Sequence, residues 1–466
     1  MDDEKKFSKV LSKKDVLALA FGAMVGWGWV ILSGSWIETA GTLGAIIAFL
    51  LGGIMVLFVG LTYAELTAAM PKCGGVHVFS HRALGFNASF ICTWSNILGY
   101  ISVVAFEAVA FPTVLEYIFP AYKQIYLYSV AGCDVYLTGL ISGIGMSLII
   151  TVINYFGGKT AAFLRGLLTL LIVIVGLSFF AGSLVNGSTA NIDSLFVGGS
   201  KGIFAVLVMT PFMFVGFDVI PQAAEEINLP FKSIGRILIL SVIMAVFWYI
   251  MIIYGVSLSL NSAGIEGSAL VTADAMKAVF FNSSIASNVL IISGIGGILA
   301  SWNSFLVGGS RCMYSMAHSG MLPKFLSKLH PKYKTPTNTV LLIGLVSSIA
   351  PLFGRQMLVW LVDAGGLTIV FTYLMVGVSF LVLRYKEPDM ERPYTVKYGK
   401  LVGIIAILLT GAMIFLYLPG APAALVWPYE WVIILSWFIL GTVFFIWSRI
   451  AVKERRKINI EMNESL

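Results

Sequence analysis

The sequence predicts an all-α integral membrane protein of about twelve spanning helices, built around two five-helix repeats inverted relative to one another. Three observations carry that reading: too little charge for a soluble fold, long windows with no charge at all, and two glycine-interrupted spans in matching positions. Of 466 residues, 58% are apolar and only 11% charged, with a mean hydropathy of +0.92. A soluble domain carries roughly 25% charged residues, so a fully water-facing surface is excluded. The net charge of +7 reads as a topology signal, and no nucleic-acid partner is expected.

A helix crosses the hydrocarbon core with about 20 apolar residues. Residues 83–106, 135–158, 166–190, 237–265, 278–310, 364–383 and 431–448 contain no Asp, Glu, Lys or Arg. Adding shorter or singly charged stretches places spans near 15–41, 43–69, 88–118, 136–157, 161–185, 202–226, 233–260, 286–318, 337–353, 357–385, 401–418 and 430–449. No segment alternates as a barrel strand does, and helices satisfy their own backbone in lipid.

Orientation follows from the basic residues. With Lys5, Lys6, Lys9, Lys13 and Lys14 in the cytoplasm, twelve crossings leave only Lys123, Lys201, Lys277 and Arg355 of the 30 basic residues outside. That is a positive-inside bias. It places a leader, 1–14, and a tail, 450–466, on the cytoplasmic side. The first apolar segment is too long for a cleaved signal peptide. Cys73, Cys92, Cys133 and Cys312 show no C-x-x-C spacing and read as small buried hydrophobes.

The first span is interrupted at Gly22-Ala-Met-Val-Gly26-Trp27-Gly28-Trp29 and the sixth at Pro211-Phe-Met-Phe-Val-Gly216-Phe217-Asp218. Each break opens a block of five spans, 15–185 and 202–385, followed by two further helices over 401–449. Five is odd, so the second block is inverted. Inverted repeats with broken first helices are the LeuT-type arrangement of secondary transporters. Unwinding frees backbone N–H and C=O groups that persist in a membrane only where they line a cavity. Half-helix N-termini attract a carboxylate and freed carbonyls attract an ammonium. A ligand carrying both groups, an α-amino acid, fits that pair of poles. Close helix packing through Gly22-x-x-x-Gly26 is the bland alternative.

Five motifs in register then resemble the amino acid–polyamine–organocation (APC) transporters. They are Gly22-x-x-x-Gly26-x-Gly28; Tyr63-Ala-Glu65-Leu-x-x-x-x-Pro71-x-x-Gly74-Gly75; and Gly216-Phe217-Asp218 followed by Ala224-Glu225-Glu226-x-Asn228-x-Pro230. The others are Arg311-x-x-Tyr314-x-Met316-Ala317-x-x-Gly320-x-Leu322-Pro323 and Arg384 with Arg392-Pro393-Tyr394. The resemblance implies a plasma-membrane permease, not an enzyme, with no cofactor. It implies alternating access, spans 1, 2, 6 and 7 rocking against 3, 4, 8 and 9. Gly26, Trp27 and Gly28 would offer N–H groups to the substrate carboxylate. Phe214, Val215 and Gly216 would offer carbonyls to its ammonium, with Phe217 beside them, and Phe212 stands where relatives place an aromatic gate.

Two departures stand out. Trp27 replaces the small or polar residue many relatives carry, which would shrink or reshape the pocket. Residues 166–185 lack the lysine by which some relatives couple to protons. An Na⁺ site between spans 1 and 8 would draw on Ser301 and Ser304, whose bland role is packing.

Acids within spans are costly and usually functional. Glu65 and Glu225 sit in the family motifs and read as structural partners of loop cations such as Arg311. Glu107, Asp218, Glu38 and Asp363 are candidates for coupling or cation recognition. Glu107 lies near the middle of span 3 and Asp218 directly after the span 6 break. Glu38, ~15 Å beyond Gly28 at 1.5 Å per residue, falls near the outer mouth, and Asp363 opens span 10. A buried, unpaired carboxylate can carry a proton, and a set of acids without neighbouring bases also favours a cationic ligand. His77 and His81 are four apart but lack a third ligand, so no metal is expected.

The function expected is therefore transport of amino acids, with proton coupling or exchange open. The substrate partner is a small molecule and the surrounding partner the bilayer. A polyamine or other amine is the alternative cargo, and a transport-incompetent nutrient sensor the alternative of another class.

Overall fold

The computed structural model describes residues 7, 9, 11–157 and 159–464; Lys5 and Lys6 of the leader lie outside them. The first span is not one helix but three, α1 (Lys13–Met24), α2 (Gly28–Ile31) and α3 (Ser33–Ala40). Spans two and three are α4 (Thr42–Ala69) and α5 (Gly75–Ile118), and Gly85 at φ +80° divides the latter into a short helix and a long one. After the hairpin β1 (Tyr126–Val130) and β2 (Cys133–Tyr136) come α6 (Leu137–Phe156) and α7 (Lys159–Asn186). The sixth span is again broken, into α8 (Gly199–Leu207), α9 (Thr210–Phe214) and α10 (Val219–Gln222).

The second half runs through α11 (Phe231–Ser259), two short helices α12 (Ser262–Glu266) and α13 (Val271–Val279), and the long α14 (Ser284–His318). It closes with α15 (Thr337–Ser347), α16 (Met357–Lys386), α17 (Gly399–Tyr417) and α18 (Tyr429–Glu464). Eleven helical segments among the described residues are long and apolar enough to cross a membrane, and a twelfth apolar segment, Thr337–Phe353, is shorter. Its helix gives way after Ser347 to a 3₁₀ turn over Ala350–Phe353. Pro351 has no N–H to continue the ladder.

The hairpin was not anticipated by the hydropathy pattern, which treats 119–135 as a plain connection. Ala131 and Gly132 both take positive φ, +48° and +82°, the conformation of a two-residue hairpin turn that matches strand twist. Val130 pairs Cys133 and Ser129 pairs Asp134 across it.

Inside the bundle α5 packs against both α14 and α16, α4 against α11, and α1 between α7, α11 and α14. Glycines set the close approaches. The indole of Trp248 on α11 fills the space a side chain at Gly176 of α7 would need, and that of Trp27 does the same at Gly294 of α14.

The face carrying Lys72, Arg82 and Arg384, called the basic face below, is tied together by buried ion pairs. Glu65, 1% exposed, accepts from Arg384 Nε at 3.0 Å, from Val396 N–H at 2.8 Å and pairs with Arg392 Nε at 3.1 Å. Arg311 donates from Nε to Glu226 at 2.8 Å. The pairing expected between Arg311 and Glu65 or Glu225 is thus corrected. Glu226 is the residue that reaches Arg311, Glu225 accepts from Cys73 N–H at 3.1 Å, and Glu65 faces Arg384 at the end of α16 and Arg392 of the loop beyond it. On the same face Leu11 forms a parallel bridge with Ile227, closed by Leu11 N–H to Glu226 C=O at 3.0 Å and Asn228 N–H to Leu11 C=O at 2.9 Å.

Removing one member of a buried ion cluster leaves the others uncompensated, at about 3–5 kcal/mol. Glu65→Ala should therefore lower the melting temperature of the detergent-solubilised protein sharply. Lys123→Ala, which removes a surface pair with Glu116, should leave it nearly unchanged in the same thermal scan.

Candidate substrate site

The two breaks meet. A β-carbon at Gly216, whose φ is +139°, would lie 2.8 Å from both the Ala23 β-carbon and Met24 N. Only glycine combines that backbone angle with that approach. A β-carbon at Gly28 would fall 2.7 Å from Met213 Sδ, so the unwound stretches of the first and sixth spans lie directly against each other.

The polar groups released by unwinding are largely accounted for. Tyr249 of α11 donates its hydroxyl to Met24 C=O at 2.6 Å. Thr272 of α13 donates to Trp29 C=O at 2.9 Å and lies 2.9 Å from Ser33 Oγ. Tyr417 of α17 reaches Val208 C=O at 2.5 Å, and Gly216 N–H donates to Asp218 Oδ1 at 2.8 Å. The carbonyls of Val25 and Gly26 face Gly297 of α14, where a side chain would stand 3.1 and 2.9 Å away.

Between the breaks lies a cavity of about 20 Å³, room for a single water. Gly26, Trp27, Gly28, Glu107 and Phe212 line it, together with Val103, Phe106, Tyr249, Ser301 and Phe305. Phe212 closes one side, edge-on to Phe106 at 5.6 Å between ring centres. Trp27 reshapes the site less than its bulk suggests, because its indole is turned into the notch at Gly294.

Glu107 is the one charged side chain in that lining. It is 1% exposed, and its Oε1 stands where a β-carbon of Gly26 would be. The Ser301 hydroxyl and the Trp27 backbone N–H lie within its hydrogen-bonding reach, whereas Oε2 has no partner among the described residues.

The other candidates lie elsewhere. Asp218 is fully buried behind the sixth-span break, accepting from Tyr100 O–H at 2.7 Å as well as from Gly216. Phe217 packs against Tyr63 and Tyr373, each at 5.4 Å. Phe214 sits with Phe49 and Tyr249, and Val215 supplies the extended residue, ψ 140°, before Gly216. Glu38 is exposed at the end of α3, and Asp363 of α16 faces Glu430 at the start of α18. Ser304 donates to Ala300 C=O at 2.8 Å.

Sequence reasoning passed over Tyr249, Phe106 and Phe305, aromatic residues in apolar runs with nothing local to mark them. Arg165, one residue before the cation-free window and counted only among the cytoplasmic-side charges, is 4% exposed and near Asp15 and Glu226.

A second and much larger cavity, about 1300 Å³, opens on the basic face. All four histidines of the chain, His77, His81, His318 and His330, line it. His77 is spoken for, with Ser89 Oγ 3.1 Å from Nδ1 and Ser319 Oγ 2.7 Å from Nε2. Lys9, Lys72 and Lys328 also line it and have no carboxylate partner among the described residues. Arg82 is paired with Glu387, and that hydrogen bond holds the Glu387 carboxyl below its ordinary pKa.

Comparison with known proteins bears directly on this geometry. Residues 11–447 match the family model described as amino acid permease. The branched-chain amino acid permease BcaP of Bacillus subtilis (strain 168) is 28% identical, over 96% of this chain and 94% of its own length. The methylthioribose transporter of the same organism is 24% identical over 96% and 94%. The histidine permease HisP of Lactococcus lactis is 25% identical over 89% of each chain.

A methyl group at Gly26 would occupy the place of Glu107 Oε1 and press on Ser301 Oγ at 3.0 Å, displacing the carboxylate from the break. Gly26→Ala should abolish uptake into proteoliposomes while the protein still purifies as a folded species. Gly145→Ala, whose β-carbon would meet nothing within 4 Å, should transport normally in the same assay.

Proposed function

The chain belongs to the amino acid permease family, and on that premise we propose that it transports zwitterionic amino acids with apolar side chains, one proton moving with each. Amino acid transport itself follows from the family. The side-chain class and the coupling rest on the cavity between the two breaks, which holds one carboxylate, the Ser301 hydroxyl and otherwise apolar or aromatic walls. An aliphatic side chain would lie against Val103, Phe106, Phe212 and Phe305. Gly26, Trp27 and Gly28 would present N–H groups to the substrate carboxylate, and Phe214, Val215 and Gly216 carbonyls to its ammonium. The branched-chain specificity in the name of the Bacillus subtilis relative supports the same class.

Glu107 is the proton carrier in this reading, because it alone of the four intramembrane candidates faces the cavity. Asp218 already accepts two hydrogen bonds and serves to hold the sixth-span break. The two blocks 15–185 and 202–385 form the inverted repeats, and the first, second, sixth and seventh spans rock against the third, fourth, eighth and ninth. The basic face is cytoplasmic, in accord with the positive-inside rule, and the protein resides in the plasma membrane.

A cationic amine is the second reading, favoured by the lone carboxylate in the pocket. The basic face weighs against it, since unpaired lysines along the route of release repel a cation and admit a zwitterion.

Ligand at about 100 times its Kd stabilises the folded state by about 2.7 kcal/mol. Leucine, isoleucine and valine should raise the melting temperature and accumulate in proteoliposomes when the outer buffer is made more acidic. Stabilisation by putrescine or lysine alone would replace the proposal with the amine reading. Stabilisation by leucine without any uptake would make the protein a sensor.

A further inference from the structure

Glu107 already places a carboxylate on the break of the first span. Its Oε1 stands in the space left by Gly26, within reach of the Trp27 N–H and the Ser301 hydroxyl. These are the groups that would receive the carboxylate of an amino acid. Two carboxylates cannot share one set of donors in a buried, water-poor site, where like charges repel strongly. Resting on the reading that an amino acid binds at the breaks, we propose that Glu107 is a built-in stand-in for the substrate carboxylate. It occupies the first-span break while the site is empty and yields it, protonated, when substrate arrives.

The exchange balances. The incoming zwitterion keeps its charge and takes the Trp27 N–H, and Glu107 gains one proton from the solution that delivers the substrate. The neutral acid then leaves the break. Its unpartnered Oε2 marks the side on which the proton can be added without breaking a bond.

The groups facing Glu107 are few. The first span offers Gly26 and Trp27, α14 offers Ser301 and Phe305, and α9 offers Phe212 and Met213, none of them titratable. From α11 comes Tyr249, its proton held on Met24 C=O at 2.6 Å. The pH dependence of binding therefore belongs to Glu107. With the carboxylate in the break, substrate binding takes up one proton, so affinity is greatest at acid pH. Kd then rises about tenfold per pH unit wherever Glu107 is ionised in the empty protein.

The test uses the full chain in detergent, unaltered and as Glu107→Gln and Glu107→Ala. Leucine affinity is measured between about pH 5 and pH 9, and melting temperature with and without acetate. The unaltered protein should show the tenfold slope. The glutamine variant should bind with an affinity independent of pH, near the acid limit of the unaltered chain. Acetate should stabilise the alanine variant, whose carboxylate position is empty, and not the unaltered protein. A pH-independent Kd in the unaltered chain, or the same slope in both the unaltered and glutamine forms, overturns the proposal. So does acetate acting on neither the unaltered nor the alanine form, or on both equally. Should leucine bind none of the three while acetate stabilises only the alanine variant, the amino acid reading falls and the stand-in remains. If the alanine variant does not fold, the slope of the glutamine variant decides alone.

Discussion

Backbone N–H and C=O groups freed inside a membrane must find partners within the protein, because hydrocarbon offers none. In this chain that demand falls on the unwound stretches of the first and sixth spans, and much of the surrounding architecture answers it. Tyr249, Thr272 and Tyr417 come from three different helices, and each delivers a hydroxyl to one freed carbonyl. Asp218 turns back on the N–H of Gly216. Among the groups these leave available are the ones around Gly26 and Trp27, and there Glu107 comes to rest. The site is what remains after the backbone has been satisfied elsewhere.

The same demand explains the glycines. Gly216 lets one break lie on the other, Gly297 leaves room for the carbonyls of Val25 and Gly26, and Gly294 and Gly176 receive the indoles of Trp27 and Trp248. The first of these contacts joins the two breaks to each other, and the others join a broken helix, or one packed against it, to a neighbour that runs on unbroken. At the basic face the joints are ionic instead. Glu65 gathers Arg384 and Arg392, Arg311 meets Glu226, and the leader at Leu11 bonds to the segment after the sixth span. Packed interfaces of this kind tend to switch between discrete arrangements rather than deform continuously.

Much of the architecture was legible in the sequence because its causes are local. Charge-free windows mark the spans, and the clusters Gly22–Gly28 and Pro211–Asp218 mark the breaks. Glu107 stood out because an acid in an apolar run is rare. Partners drawn from distant helices were not legible. No local pattern links Tyr249 to Met24, or says that Glu226 and not Glu225 faces Arg311. The indole of Trp27 was expected to shrink or reshape the pocket, since nothing in the first span reveals a vacancy at Gly294 on the eighth. The hairpin at 126–136 was missed because its signal lies in the two-residue turn Ala131–Gly132 and not in hydropathy.

The central cavity has room for one water and no more. A ligand the size of an amino acid would therefore bind there only in a rearranged form, and its measured affinity would be its intrinsic fit reduced by the fraction of molecules in that form. Affinity in such a protein is set partly at a distance, by whatever holds the closed form together, such as the ion cluster at Glu65 or the indole at Gly294. Two permeases with identical pocket walls can then differ widely in apparent affinity. Selection can also tune uptake to nutrient supply by altering a joint far from the ligand, leaving untouched the residues that decide which ligand is chosen.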